Sequence, residues 1–160
     1  MNIKDQLSEY KFNKKDISLS YRALNHYDEQ GLLISERPSN NEWRTFNGFE
    51  LIWLNLIVIL REIGFSLKKI KTLKRNLFEI GQKGLIDRAN YINRSFYEEI
   101  LLSIEGKYSL FILIFYDSTY TFHDTTSLNQ WNNSVYKNEP HINIPLSNII
   151  KDVLNKTREN

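Results

Sequence analysis

The chain has 160 residues, 41% of them hydrophobic and 25% charged, with 6 Gly and 3 Pro, which suits one domain or two very small ones and excludes a disordered, collagenous or low-complexity chain. It contains no cysteine, so a disulfide scaffold, a thiol nucleophile and a thiolate metal site are all excluded. The net charge of +2 implies no partner by itself, although residues 1–80 carry 13 Lys and Arg against 10 Asp and Glu, and residues 81–160 carry 8 against 9.

The amino terminus is polar and does not read as a signal peptide. Asn2 to Glu9 is compatible with a short helix. A clearer helix runs from about Ser20 to Gln30: Ser20 is a good N-cap, Tyr21, Leu24 and Tyr27/Asp28 follow at helical spacing, and Gly31 suits the C-terminal left-handed position. Arg37 to Asn41 is a turn cluster, and Trp43 to Phe46 reads as a short extended arm returning from it. The next helix begins near Asn47 or Gly48 and ends at Ile63, before Gly64. It is apolar around most of its circumference, so it must be buried on more than one side, and its Leu51 to Leu60 run invites self-association. Its apolar run is far shorter than the ~20 residues of a membrane span, and a cytoplasmic location is expected. Ser66 caps a further helix with Leu67, Ile70, Leu73 and Leu77 on one face and Lys68, Lys69, Lys71, Lys74 and Arg75 around the other.

Gly81 and Gly84 break the helical pattern and suggest a boundary between a domain at 1–80 and a module at 85–160. Leu85, Ala89, Ile92, Phe96, Ile100 and Ile104 form one amphipathic stripe. Tyr108 to Tyr116 reads as a buried strand, Asp117-Ser118 as a tight turn, and Thr119 to His123 as the returning strand. A polar loop with one helical turn near Leu128 to Trp131 follows. Ile142, Ile144 and Leu146 alternate as a third strand, which Pro145 places at an edge. Ser147 is positioned to cap a final helix carrying Ile149, Ile150, Val153 and Leu154. The fold class is therefore α+β: an N-terminal helical domain, then a module of helix, β-hairpin, strand and helix.

His26, His123 and His141 lack metal-ligand spacing, and Glu98-Glu99 reads as an exposed helix pair rather than a catalytic dyad. There is no phosphate-binding glycine loop and no nucleophile elbow. The chain reads as a non-enzyme without a cofactor or metal. What remains is Ser20 to Phe65. The Ser20 helix turns Tyr21, Arg22, Asn25 and His26 toward solvent, and arginine and asparagine are the side chains that can form paired hydrogen bonds with guanine and adenine edges. Ser20 and the helix amino terminus suit a phosphate, and Arg44 on the arm suits the adjacent backbone or minor groove. A plain helical bundle with ordinary polar surface residues fits the same pattern.

The segment Tyr21-Arg22-Ala23-Leu24-Asn25-His26-Tyr27-Asp28-Glu29-Gln30-Gly31-Leu32-Leu33 resembles the recognition helix of the MerR family of winged helix-turn-helix regulators. The wing motif of that family stands here as Asn41-Glu42-Trp43-Arg44-Thr45-Phe46, with Glu42 in the place of a glycine. A third motif stands as Arg61-Glu62-Ile63-Gly64-Phe65-Ser66-Leu67-Lys68-Lys69-Ile70. The resemblance covers roughly residues 12–78. It implies a winged helix-turn-helix that binds double-stranded DNA as a transcriptional regulator and homodimer, with Tyr21, Arg22 and Asn25 at the major groove and Arg44, Lys68 and Lys69 on phosphates. The segment before Ser20 is short for a full first helix of the motif: either that helix is abbreviated or it lies in Asn2 to Glu9. Residues 85–160 resemble no effector region and are expected to dimerise or to bind a protein partner, with no membrane role. Two rival readings are an interaction adaptor that kept the winged-helix shape and an excisionase-like factor that bends DNA.

Overall fold

The computed structural model describes residues 1–35, 43–80 and 94–159. The chain divides into two compact units, Met1–Lys71 with Ile149–Asn160, and Thr72–Asn148.

The first unit opens with helix α1, Ile3–Ser8, whose N-cap Asn2 accepts a hydrogen bond from the Asp5 amide. Phe12 then pairs with Phe46 in an isolated antiparallel bridge, with amide-to-carbonyl distances of 3.0 and 2.8 Å. Between Phe12 and Ser20 lies a single 3-10 turn, Lys14–Asp16, closed by a reciprocal Asn13–Asp16 capping box. Helix α2 is Tyr21–Glu29 and helix α3 is Gly48–Glu62. Both predicted places for a first helix are thus occupied, but the stretch directly before α2 is one 3-10 turn, too short to be an α-helix. A side chain at Gly48 would put its Cβ 2.6 Å from Leu7 Cδ2 and 3.2 Å from Leu7 Cα, so the missing side chain is what lets α1 lie against the first turn of α3.

Helix α3 carries the core. Leu51, Ile52, Trp53, Leu54, Leu56, Ile57 and Leu60 are all essentially inaccessible within the single chain. The chain thus covers most of this apolar surface, while Val58 and Ile59 are half-buried and Ile63 is exposed. Asn47 and Glu50 form a capping box at its start. Helix α4, Leu67–Arg75, buries Ile70 and Leu73, and the helix runs on as a π-helical segment, Asn76–Ile80. Among the described residues no helix is long and apolar enough to cross a membrane.

In the second unit, helix α5 (Phe96–Gly106) starts at a capping box formed by Ser95 and Glu98. Its described part buries Phe96 and Ile100. The predicted stripe from Leu85 to Ile92 and the breaks at Gly81 and Gly84 lie outside the described residues. Glu98 and Glu99 are not the exposed pair expected: Glu98 caps the helix, while Glu99 is buried 3.9 Å from Arg94, and burial raises its pKa. Strands β1 (Phe111–Phe115), β2 (Tyr120–His123) and β3 (His141–Pro145) form an antiparallel sheet in the order β2-β1-β3. Ile112 sits opposite both Phe122 and Ile144, and Pro145 lies on an edge strand as expected, where its lost donor costs the ladder least. The Asp117–Ser118 turn is held by the Ser118 amide donating to Phe115 O and by Thr119 donating to Asp117.

The predicted single turn near Leu128 is a full helix, α6, Thr125–Asn132, capped by Asp124. Its Trp131 packs on Leu113 and Phe115, a contact that no local pattern announces. The last helix, α7, is Ser147–Glu159. Ser147 does not cap it; its hydroxyl accepts from the Leu110 amide. The sequence pattern groups this helix with the second module, yet from Ile149 it clusters with the first unit. Lys11 Nζ donates to Thr157 O at 3.0 Å, and Lys156 Nζ donates to Asp16 O at 2.8 Å.

His123 links β2 to α6. Its Nε2 lies 2.8 Å from Thr121 Oγ1 and its Nδ1 3.0 Å from Ser127 Oγ. Burial pushes its pKa down to about 4, against the opposing pull of Asp124. A histidine held neutral in the folded state stabilises the protein fully above its unfolded pKa of about 6.5, and this contribution is lost as pH falls toward the folded value. Acidification from about pH 7.5 to about pH 4.5 should therefore remove at most about 3 kcal/mol through this group. His123→Gln should show a smaller loss over that interval in urea melts; Glu99 pulls the other way in both proteins and cancels in the comparison. Equal acid sensitivity in the two would show that His123 is not held neutral.

Candidate nucleic-acid interface

Helix α2 has nine residues, too few to persist alone in water, so its placement depends on its ends and its buried side. Ser20 Oγ accepts from the Ala23 amide at 3.1 Å and closes the first turn. At the other end Gly31 has φ +73°, and the Gly31 and Leu32 amides donate to Asp28 O and Tyr27 O, the double closure of a Schellman motif. Leu24 and Tyr27 are buried, as the helical spacing predicts, whereas Tyr21 at the start of the same spacing is exposed. Beyond the helix, Trp53 Nε1 in α3 donates to Leu32 O at 2.8 Å, which fixes the exit of the chain.

The other side of α2 faces water. Tyr21, Arg22, Asn25, His26 and Glu29 are exposed. Arg22, Asn25, His26 and Glu29 stand at intervals of three, four and seven residues, so they share one face. The structure therefore brings together the polar residues singled out in the sequence on α2, with Ser20 at its amino end. Ser20 already accepts one internal hydrogen bond and keeps its hydroxyl proton to give.

Lys68 and Lys69 are exposed on the first turn of α4, which Ser66 closes by accepting from the Lys69 amide. Lys69 Nζ sits 5.6 Å from the centre of the Phe65 ring. Lys71 lies over Gly31, its Nζ 3.8 Å from where a Cβ would be, and so brings a cation to the carbonyl end of α2.

Arg44 is placed differently from the expectation of a solvent-facing phosphate ligand. Its Nη2 lies 2.6 Å from Asp28 Oδ2, its Nη1 donates to Ser35 O at 3.0 Å, and its side chain is only 10% exposed. The guanidinium also stands 6.0 Å from the Phe46 ring. It joins the last turn of α2, the segment after it and the returning arm. Sequence patterns do not reveal Asp28 as its partner. The pairing spans sixteen residues, and only the acid's place on the last turn of α2 hints at it. The wing positions Asn41 and Glu42, and the turn cluster from Arg37, lie outside the described residues save for the arm itself.

Comparison with known proteins adds one finding. Residues 14–77 match the family model described as MerR HTH family regulatory protein. The match takes in the 3-10 turn and helices α2, α3 and α4, and it ends before the sheet. No curated protein and no solved structure matches the chain.

Arg44→Ala should lower stability by about 1–2 kcal/mol, less than the cost of breaking a fully buried pair, because Asp28 keeps a third of its side chain in water. Arg44→Lys should recover little of this, since an ammonium cannot span both acceptors as the planar fork does. Urea melts of the two variants check this. Unchanged melts in both would show that the guanidinium braces nothing.

Proposed function

We propose, from the match of residues 14–77 to the MerR HTH family model, that the chain is a sequence-specific DNA-binding transcriptional regulator acting as a dimer. The observation that carries the reading is the division of α2: Leu24 and Tyr27 fasten it, while Arg22, Asn25 and His26 stand exposed on its other side. A helix presented this way fits the major groove, where arginine pairs with guanine and asparagine with adenine. Tyr21 positions the helix at the groove edge. Ser20 and the amino end of α2 take a phosphate, and Lys68 and Lys69 on α4 hold the backbone. Arg44 enters as the brace that sets the angle of α2. Glu29 on the same face suits a cytosine amino group and discourages closer approach of phosphates.

One short helix contacts too few bases for useful specificity, which is the reason for a dimer. Residues 85–160 are assigned to dimerisation or partner binding, except that α7 packs with the first unit. Strands β2 and β3 are the edges of the three-stranded sheet, and a sheet edge offers backbone groups to a second chain.

Arg22→Ala should relax base preference at one or two symmetric positions by about 1–3 kcal/mol while non-specific binding and the melting temperature survive. Leu24→Ala should instead destabilise the fold by about 2–5 kcal/mol. The check is binding to a panel of single-base variants of a duplex selected from random sequence, beside a melt of each protein. A melted Arg22→Ala protein, or one with unaltered base preference, would favour the adaptor reading.

A further inference from the structure

The two edges of the sheet in the second unit differ in kind. All four residues of β2 are buried, so that edge is covered within the chain. On β3, Asn143 and Pro145 are exposed, and His141 and Ile142 are half-buried. The register fixes which backbone groups of β3 are engaged. The Leu146 amide donates to Leu110 O at 2.8 Å and the Tyr116 amide to Pro140 O at 3.3 Å, so Ile142 and Ile144, at even positions between them, exchange hydrogen bonds with β1. The odd positions turn the other way. The N–H and C=O groups of His141 and Asn143, and the C=O of Pro145, therefore point out of the sheet.

An exposed edge is usually blunted by charge, by proline or by cover. The strand His141-Ile142-Asn143-Ile144-Pro145 carries no lysine, arginine or carboxylate, its proline stands at the last position, and its middle residue is exposed. This edge is complementary to itself. An antiparallel copy centred on Asn143 sets each Asn143 N–H against the C=O of Asn143 of the second copy, and each His141 N–H against the C=O of Pro145 of the second copy. The donor that proline lacks falls at the rim of the pairing, where water can serve the His141 carbonyl. The same register sets Ile142 opposite Ile144 of the second copy on both sides of the axis, an apolar cross-strand pair, and brings no like charges together.

We propose that two copies of the chain pair antiparallel along β3, with Asn143 on the two-fold axis, so that each three-stranded sheet continues into the other. The pairing rests on the dimer reading above and deepens it, by assigning the interface to one of the two edges and fixing its register.

The chain has no cysteine, so one placed on the axis reports the register directly. Facing Cα atoms of a hydrogen-bonded antiparallel pair stand about 5.5 Å apart, within the reach of a disulfide. Under mild oxidation full-length Asn143→Cys should form a covalent dimer roughly tenfold faster than Asp152→Cys, an exposed site off the sheet. Asn143→Pro removes both central donors and no bond to β1, and should raise the dimer dissociation constant roughly tenfold in sedimentation equilibrium with the far-ultraviolet spectrum of the parent retained. Asn143→Lys keeps the backbone donor but sets like charges face to face, and should weaken the dimer at low salt. Parent-like dimers in both Asn143→Pro and Asn143→Lys, or Asn143→Cys linking no faster than Asp152→Cys, overturn the strand pairing and leave the dimer reading standing. A parent chain that sediments as a monomer at every concentration overturns both.

Discussion

The ion pair between Arg44 and Asp28 ties the last turn of α2 to the returning arm, and the reading proposed for α2 depends on that placement. A nine-residue helix has little stability of its own, and α2 is fastened by the buried side chains of Leu24 and Tyr27 and by the Trp53 indole at the Leu32 carbonyl just beyond it. The guanidinium adds a further grip, on the last turn of α2 at Asp28 and on the following segment at Ser35. The arm that carries Arg44 is itself anchored through Phe46, which pairs with Phe12. The base reading proposed for α2 needs side chains held to within a fraction of an ångström, and this chain of contacts braces the helix from outside.

The exposed chemistry follows from the brace. With Arg44 engaged internally, the exposed cations of the candidate interface are Arg22 on α2 and Lys68 and Lys69 on α4. Beneath them α3 serves as a buried post: its indole at Trp53 holds Leu32, and its first turn accepts α1 over Gly48. Most of its apolar character is spent inside the chain, while Ile63 at its end stays exposed.

The features legible in the sequence are those encoded within a turn or two of helix. Ser20, Leu24, Tyr27 and Gly31 announce α2 because capping, burial and left-handed closure are local matters. Asn47 announces α3 in the same way, and the alternation of 142, 144 and 146 with Pro145 announces an edge strand. What stays hidden is long-range. Arg44 looks like any arm arginine until Asp28 is seen beside it. Ser147 has the chemistry of a cap, but a distant amide at Leu110 claims its hydroxyl. Helix α7 donates from Lys156 to the Asp16 carbonyl and accepts from Lys11 at the Thr157 carbonyl, across some 140 residues of chain. Glu99 has the same sequence context as Glu98, and only tertiary packing separates the buried carboxylate from the capping one.

Whether α2 reads the major groove is open to methylation interference on a selected duplex, because guanine N7 opens only to the major groove and adenine N3 only to the minor. N7 methylation should abolish binding at two symmetric guanines about one helical turn apart, with little effect from N3 methylation between them. Interference confined to adenine N3, or spread evenly along the duplex, would contradict a reading helix in the major groove.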